Sequence, residues 1–435
     1  MNGNPGNLMP SSPPQSLAQR LIAKAAGRAH VAVGDIVTCQ VDLAMFHDSS
    51  GPRRLKPMLE ELGAEIWDRS KVVLVMDHYV PERDEASRKI VRIARDWARE
   101  KNLPHVYDSQ GICHVVVPQH GHIRPGMLCV GGDSHSPTGG AFGAYMFGIG
   151  STEMLGVVVT GEIWLRVPQT IAMNWQGTLA PGVCAKDMML FTIARLGMNG
   201  AAYQAVEFCG DAVVALSMQE RMTLCNMSAE LGAQAGLVAP DAVTSDWLMQ
   251  VAGVSPEALE GLEAWRSDVG SQDVVHTLNA NTLSPQLAAP HSPAHGVPLD
   301  NHAQTRIDVA YIGACTGAKL DDLHFAAQVL KGKKIAPGVQ LMVAPASLRD
   351  RAQAEADGTM QALVDAGASV LPSACGVCAG YGDSFGEGQT VISSTARNFK
   401  ARMGPASTQV FLGSAYTVAA SALRGHITDP REVMA

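Results

Sequence analysis

No stretch of this chain approaches the ~18 to 20 uncharged apolar residues that a membrane-spanning helix needs, and its first residues lack a basic segment followed by an apolar one. These absences predict a soluble, cytoplasmic protein with no membrane partner. A basic block is missing too. With 33 Lys and Arg against 41 Asp and Glu, a net charge of −8, the chain lacks the clustered cations that phosphate neutralisation requires. That argues against a dedicated nucleic-acid binder and leaves room for a small anionic substrate held by a few converging arginines. The nine cysteines are odd in number and scattered, so no disulfide framework is expected and the thiols should be reduced. No fixed-period repeat suggests a solenoid. The glycine-rich "GGAFGAYMFGIGSTE" does not carry G-x-G-x-x-G after a strand, so close packing explains it better than a phosphate loop.

What is present is enough apolar material, 46% of 435 residues, for two or three cores. Strand-like runs of Val, Ile, Leu and Met alternate with amphipathic segments, which predicts an α/β protein with parallel sheets covered by helices. Residues 1–16, polar and rich in Gly, Pro and Ser, read as a mobile tail. Three α/β domains then span residues 17–165, 166–300 and 301–435, the second ending in a Pro- and His-rich linker at 281–304.

In open α/β sheets the ligand crevice lies beyond the carboxyl ends of the strands. Asp77 and His78 follow "KVVLVM", Asp133, Ser134 and His135 follow "MLCVGG", Cys315 follows "VAYIGA", and Cys375 with Cys378 follows "SVLPSA". Together they suggest one site built from several strands. The C-x-x-C pair alone fits a redox site or half of a zinc site. Glycines 376, 380 and 382 crowd the pair, unlike a redox helix, and a structural zinc wants four ligands. With Cys315 lying 60 positions upstream of Cys375, three thiolates could instead hold three irons of a [4Fe–4S] cluster, leaving the fourth open. All three readings stand on spacing alone.

Longer motifs narrow the choice. "GGDSHSPTGGAFGAYMFGIGSTE", "IGACTGAKLDDL", "SACGVCAG", "CNMSAELGA", "STARNFKARMG" and "GSAYTVAASALRGHITDP" occur in order over residues 17 to 432. In them the chain resembles the aconitase superfamily, and within it the large subunits of two-subunit isopropylmalate and homoaconitate dehydratases. The resemblance implies that Cys315, Cys375 and Cys378 ligate a [4Fe–4S] cluster, with Asn226 near it. It implies that Asp77 and His78 give a proton to departing hydroxide, and that His114, Glu230, Asp133 and His135 are catalytic. Ser134, Arg397 and Arg402 match residues that hold the substrate, as by position do His47 and Asp48. It further implies a di- or tricarboxylate substrate and, since the sequence stops without the fourth domain of single-chain aconitases, a separate small subunit carrying the base. Physical sense agrees: dehydration needs a tuned acid and base, and arginine's planar fork suits carboxylates.

Two positions depart from the family pattern, Gly317 and Ala396, each standing where a polar asparagine is common. Simpler readings compete elsewhere. Asp48 could cap a helix. The histidines of "PQHGH", His120 and His122, could be loop residues rather than a metal hook. Cys39, Cys113, Cys129, Cys184, Cys209 and Cys225 read as small buried hydrophobes. A non-catalytic iron–sulfur or RNA-binding aconitase relative, and a zinc or redox protein, are the alternative functions; iron and sulfide content separates the last from a cluster enzyme.

Overall fold

The computed structural model describes residues 13–382 and 384–434, so residues 1–12 of the proposed tail lie outside it. Order begins before Leu17: Gln15 and Ser16 are buried, and Ser16 caps the helix Leu17–Ala25.

The strand Val72–Met76 is apolar throughout and wholly buried, the signature of a strand covered on both faces. It sits in a five-stranded parallel sheet ordered His105–Asp108, Val72–Met76, Leu43–His47, Leu128–Gly131, Tyr145–Gly148. The helix Glu85–Glu100, capped by Asp84, places Val91, Ala94 and Trp97 in the core that includes Val72 and Leu74. Strand order reverses between Leu43–His47 and Leu128–Gly131, which opens a crevice at their carboxyl ends.

A four-stranded parallel sheet follows, ordered Ala235–Leu237, Ala205–Cys209, Thr170–Gln176, Val274–Asn279. The third sheet has seven strands. Gln340–Val343, Ala368–Val370, Val309–Ile312, Thr390–Ser393 and Gln409–Leu412 are parallel, and its order reverses between Val309–Ile312 and Thr390–Ser393. The Pro- and His-rich stretch is largely irregular, yet its short strands Leu287–Ala288 and Gly296–Val297 extend this sheet antiparallel at the Gln409–Leu412 edge. Ile36–Gln40 and Glu162–Arg166 form a separate antiparallel pair. The architecture is α/β with mostly parallel sheets, as the alternation predicts.

Backbone contacts lock the sheets together. Ile112 N–H donates to Ala346 O at 2.9 Å, and Gly111 bridges to Ser347. The glycine-rich segment serves close packing: a Cβ on Gly140 would lie 1.7 Å from Gly236 O. All nine cysteines are free thiols. Among the described residues no helix is long and apolar enough to cross a membrane.

Candidate active site

Both strand-order reversals deliver their loops to one place. His47 ends Leu43–His47 and Asp133 follows Leu128–Gly131, so these two flank the first crevice. Cys315 follows Val309–Ile312 and Arg397 follows Thr390–Ser393, flanking the second. Cys375 N–H donates to Asp77 O at 2.9 Å, which seats the C-x-x-C turn of the third sheet on the Asp77–His78 turn of the first.

Asp133 is the hub. Its carboxylate lies 2.7 Å from His114 Nε2, 3.6 Å from His47 Nε2, 3.8 Å from His78 Nε2 and 3.8 Å from His135 Nδ1. It also accepts the His135 backbone N–H at 2.8 Å. Burial opposes its charge, but His114, His47 and His135 hold its carboxyl well below the usual range. The reverse holds for His114, whose pKa burial lowers despite Asp133.

His78 is governed by Asp77. Asp77 is 0% exposed, bonds His78 Nδ1 at 2.7 Å and accepts the Cys113 N–H at 2.7 Å. Burial pushes the imidazole's pKa down, yet Asp77, with help from Asp133 and Asp48, raises it to about 9. The rings of His47 and His78 stack 3.7 Å apart. Asp48 does not cap a helix, since the nearby helix Pro52–Leu62 begins after Gly51. Its buried carboxylate instead accepts the backbone N–H groups of His78 at 3.1 Å and Tyr79 at 2.8 Å, fixing the turn that carries His78. Burial and Asp77 raise its pKa.

Glu230 does not come from a strand end. It lies just beyond the helix Met218–Met227, which also carries Asn226. It bonds His135 Nε2 at 3.0 Å and accepts from Arg397 Nε at 2.6 Å. Burial opposes the Glu230 charge; His135 and Arg397 outweigh it and lower its pKa. Arg397 also donates to Ser134 Oγ at 3.0 Å.

The thiols adjoin these groups. Asn226 Nδ2 donates to Cys315 Sγ at 3.2 Å and to Thr138 Oγ1 at 2.7 Å. Burial and Cys378 push the Cys315 thiol up to about 12. Within the C-x-x-C pair the hydrogen bond from Cys375, then Arg402, His135 and Arg397, hold the Cys378 thiol below its usual range. The same contact, with burial, pushes the Cys375 thiol well up, so of the three thiols only Cys378 is lowered.

The donor set fits an iron–sulfur cluster better than zinc. A structural zinc wants four ligands in two paired groups, whereas three strand-end thiols are the set that holds three irons of a [4Fe–4S] cluster and leaves the fourth open. Around them Asn226 Oδ1, Glu230 Oε2, His47 Nε2 and Arg402 Nε are buried with no hydrogen-bond partner among the described residues. Each such atom costs about 1–3 kcal/mol unless a bound group satisfies it, so the surroundings suit a polar occupant. His120 and His122 are no part of this. His122 bonds the Tyr107 hydroxyl, His120 stacks on the Tyr107 ring, and no third ligand joins them within metal-binding range among the described residues.

The departures from the motif pattern have steric meaning. A Cβ at Gly317 would meet Ser394 Cβ and Oγ at 2.3 Å, so no asparagine fits there with Ser394 in place. Ala396 is 1% exposed and packs in the apolar core with Cys315 and Leu412. Sequence reasoning missed Lys186, Thr316 and Ser394, which tie the loops together. Their only signal is a lysine and an aspartate opening the helix Ala185–Leu196, whose other buried residues apart from Thr192 are apolar.

Comparison with known proteins finds relatives over nearly the whole chain. Residues 22–425 match the model of the aconitase family (aconitate hydratase). The large subunit 1 of 3-isopropylmalate dehydratase from Methanopyrus kandleri is 40% identical over 96% of this chain and 99% of its own. A probable methanogen homoaconitase large subunit from Methanosarcina mazei is 41% identical over 90% and 99%. A solved structure, aconitase X of Thermococcus kodakaraensis in its holo-form, covers 84% of this chain and 85% of its own at 13% identity and TM-score 0.49, too slight a likeness to add weight. With the family model spanning nearly the whole chain and full-length relatives at this identity, the chain belongs to the aconitase family.

Proposed function

We propose that this chain is the large subunit of a two-subunit iron–sulfur hydro-lyase that reversibly dehydrates a 2- or 3-substituted malate. 3-Isopropylmalate is the first candidate substrate; 2,3-dimethylmalate, homocitrate and citrate are the others. The observation that carries the reading is Asp133, shared by four imidazoles and set beside three strand-end cysteines. The names of the relatives, each a large subunit, support the class and the partner.

Cys315, Cys375 and Cys378 would hold a [4Fe–4S] cluster. When bound, such a cluster supplies an open iron that acts as a Lewis acid toward a substrate hydroxyl and carboxylate. The remaining work falls to side chains. Asp77 accepts the Nδ1–H of His78 and stabilises the imidazolium, whose Nε2–H, on the side facing Asp133, is the proton it can give. His78 stays cationic at neutral pH and delivers that proton to the departing hydroxide. Asp133 orients His114 and His135, while Glu230 holds His135 and aims Arg397. Arg397 and Arg402 take the substrate carboxylates, and the small subunit closes the site and supplies the base.

The test is dehydration by the chain with and without its small subunit, offering each of the four acids and following the new C=C bond by ultraviolet absorbance. Turnover of at least one acid, only with both subunits present, is expected. No turnover of any acid by an iron-loaded complex contradicts the proposal.

A further inference from the structure

Lys186 is only 2% exposed, near the start of the helix Ala185–Leu196, whose other buried residues apart from Asp187 and Thr192 are apolar. Burying an ammonium is costly unless every donor is satisfied, and packing alone would be served by methionine. Its Nζ donates to Thr395 O at 2.6 Å, Ser394 O at 2.9 Å and Thr316 Oγ1 at 3.1 Å. These exhaust its three donors, and all three acceptors are neutral.

The acceptors are informative. Thr316 directly follows Cys315, and Thr395 stands two residues before Arg397. The Ser394 hydroxyl accepts from Gly313 N–H at 3.0 Å and donates to Gly317 O at 3.0 Å, so the Cys315 turn and the Arg397 turn form one block. The lysine's helix packs against Met218–Met227, the element that carries Asn226 and precedes Glu230. One ammonium therefore joins the two turns bearing Cys315 and Arg397, from a helix that itself packs against the one preceding Glu230.

We propose that Lys186 is a positioning residue for substrate: it pins the Arg397 turn against the Cys315 turn and so sets where the substrate carboxylate sits relative to the thiol ligands. The inference rests on the reading of the site as a carboxylate-binding hydro-lyase centre. Lys186 touches no reacting atom; it acts through the backbone that precedes Arg397.

The experiment compares the parent two-subunit complex with Lys186→Met and with Lys186→Gln, which retains two donors. Binding of tricarballylate, an unreactive tricarboxylate, is measured by titration calorimetry alongside kcat, KM and iron content. Lys186→Met is expected to keep parental iron, to weaken tricarballylate binding on the order of 10-fold and to lower kcat/KM ~100-fold, the scale of a small misplacement of substrate. Lys186→Gln should recover part of both. Parental tricarballylate affinity in Lys186→Met overturns the proposal, as does a loss confined to melting temperature. Should Lys186→Met not accumulate folded, Lys186→Gln decides by the same affinity. A parent complex that takes up no iron contradicts the cluster reading instead, and tricarballylate affinity still decides Lys186.

Discussion

A single buried carboxylate, Asp77, decides what His78 can do. By raising the imidazole to about 9, it keeps His78, the proposed acid, protonated through neutral pH. Asp77→Asn should lower kcat by ~10- to 100-fold, and His78→Gln by ~100- to 10,000-fold, with KM moved far less in both; steady-state kinetics checks this. The sign of the pH effect follows. A histidine whose folded pKa lies above its free value near 6.5 contributes stability that is complete below about 6.5 and is lost as pH rises through about 9. Thermal melts should decline over that window, and His78→Gln should flatten the decline. Arg402, whose Nε is buried without a partner among the described residues, should tolerate lysine poorly: Arg402→Lys is expected to raise KM sharply, and unchanged kinetics would remove it from the substrate site. At this scale the residues that the structure brings together around Asp133 were largely legible, because Asp77, His78, Asp133 and His135 stand where apolar runs end. Lys186 and Ser394 were not, since bonds to backbone carbonyls impose no partner side chain that a sequence could display.

At the scale of elements, turns rather than strands carry the individuality of this chain. The turn after Val309–Ile312 leaves no room for a side chain at 317, where Ser394 Oγ lies 2.3 Å from the Cβ that would be added. Gly317→Ala should destabilise the protein by roughly 1–3 kcal/mol through overpacking, read as a lower urea midpoint with unchanged slope. An unaltered midpoint would show that the turn can yield. The strands Val72–Met76, Leu128–Gly131, Val309–Ile312 and Ala368–Val370 were predictable from their apolar runs, but the segment around residues 218–237 was not. The helix Met218–Met227 buries Gln219, Arg221, Thr223 and Asn226 along with its apolar residues, which erases the stripe that marks a helix. The strand it leads to, Ala235–Leu237, is three residues long, too short for any periodicity. Glu230 and Asn226 could therefore be reached only through motif resemblance, not through the strand-end rule that placed the others.

For the whole molecule, the site exists because two sheets reverse their strand order at facing crevices and a third segment contributes Glu230 between them. The chain carries a net charge of −8, so attraction of the proposed anionic substrate would fall to Arg397 and Arg402 together with the imidazoles, and association should then weaken as salt screens these charges. The central claim is that the three strand-end cysteines hold a cluster with one exchangeable iron. It is tested most directly by iron and acid-labile sulfide per chain after anaerobic reconstitution, with electron paramagnetic resonance after mild oxidation, on the parent and on Cys375→Ser. The account predicts about four irons and four sulfides and a three-iron signal in the parent, with both lost in the variant. Zinc in place of iron, or no metal in either protein, would contradict it.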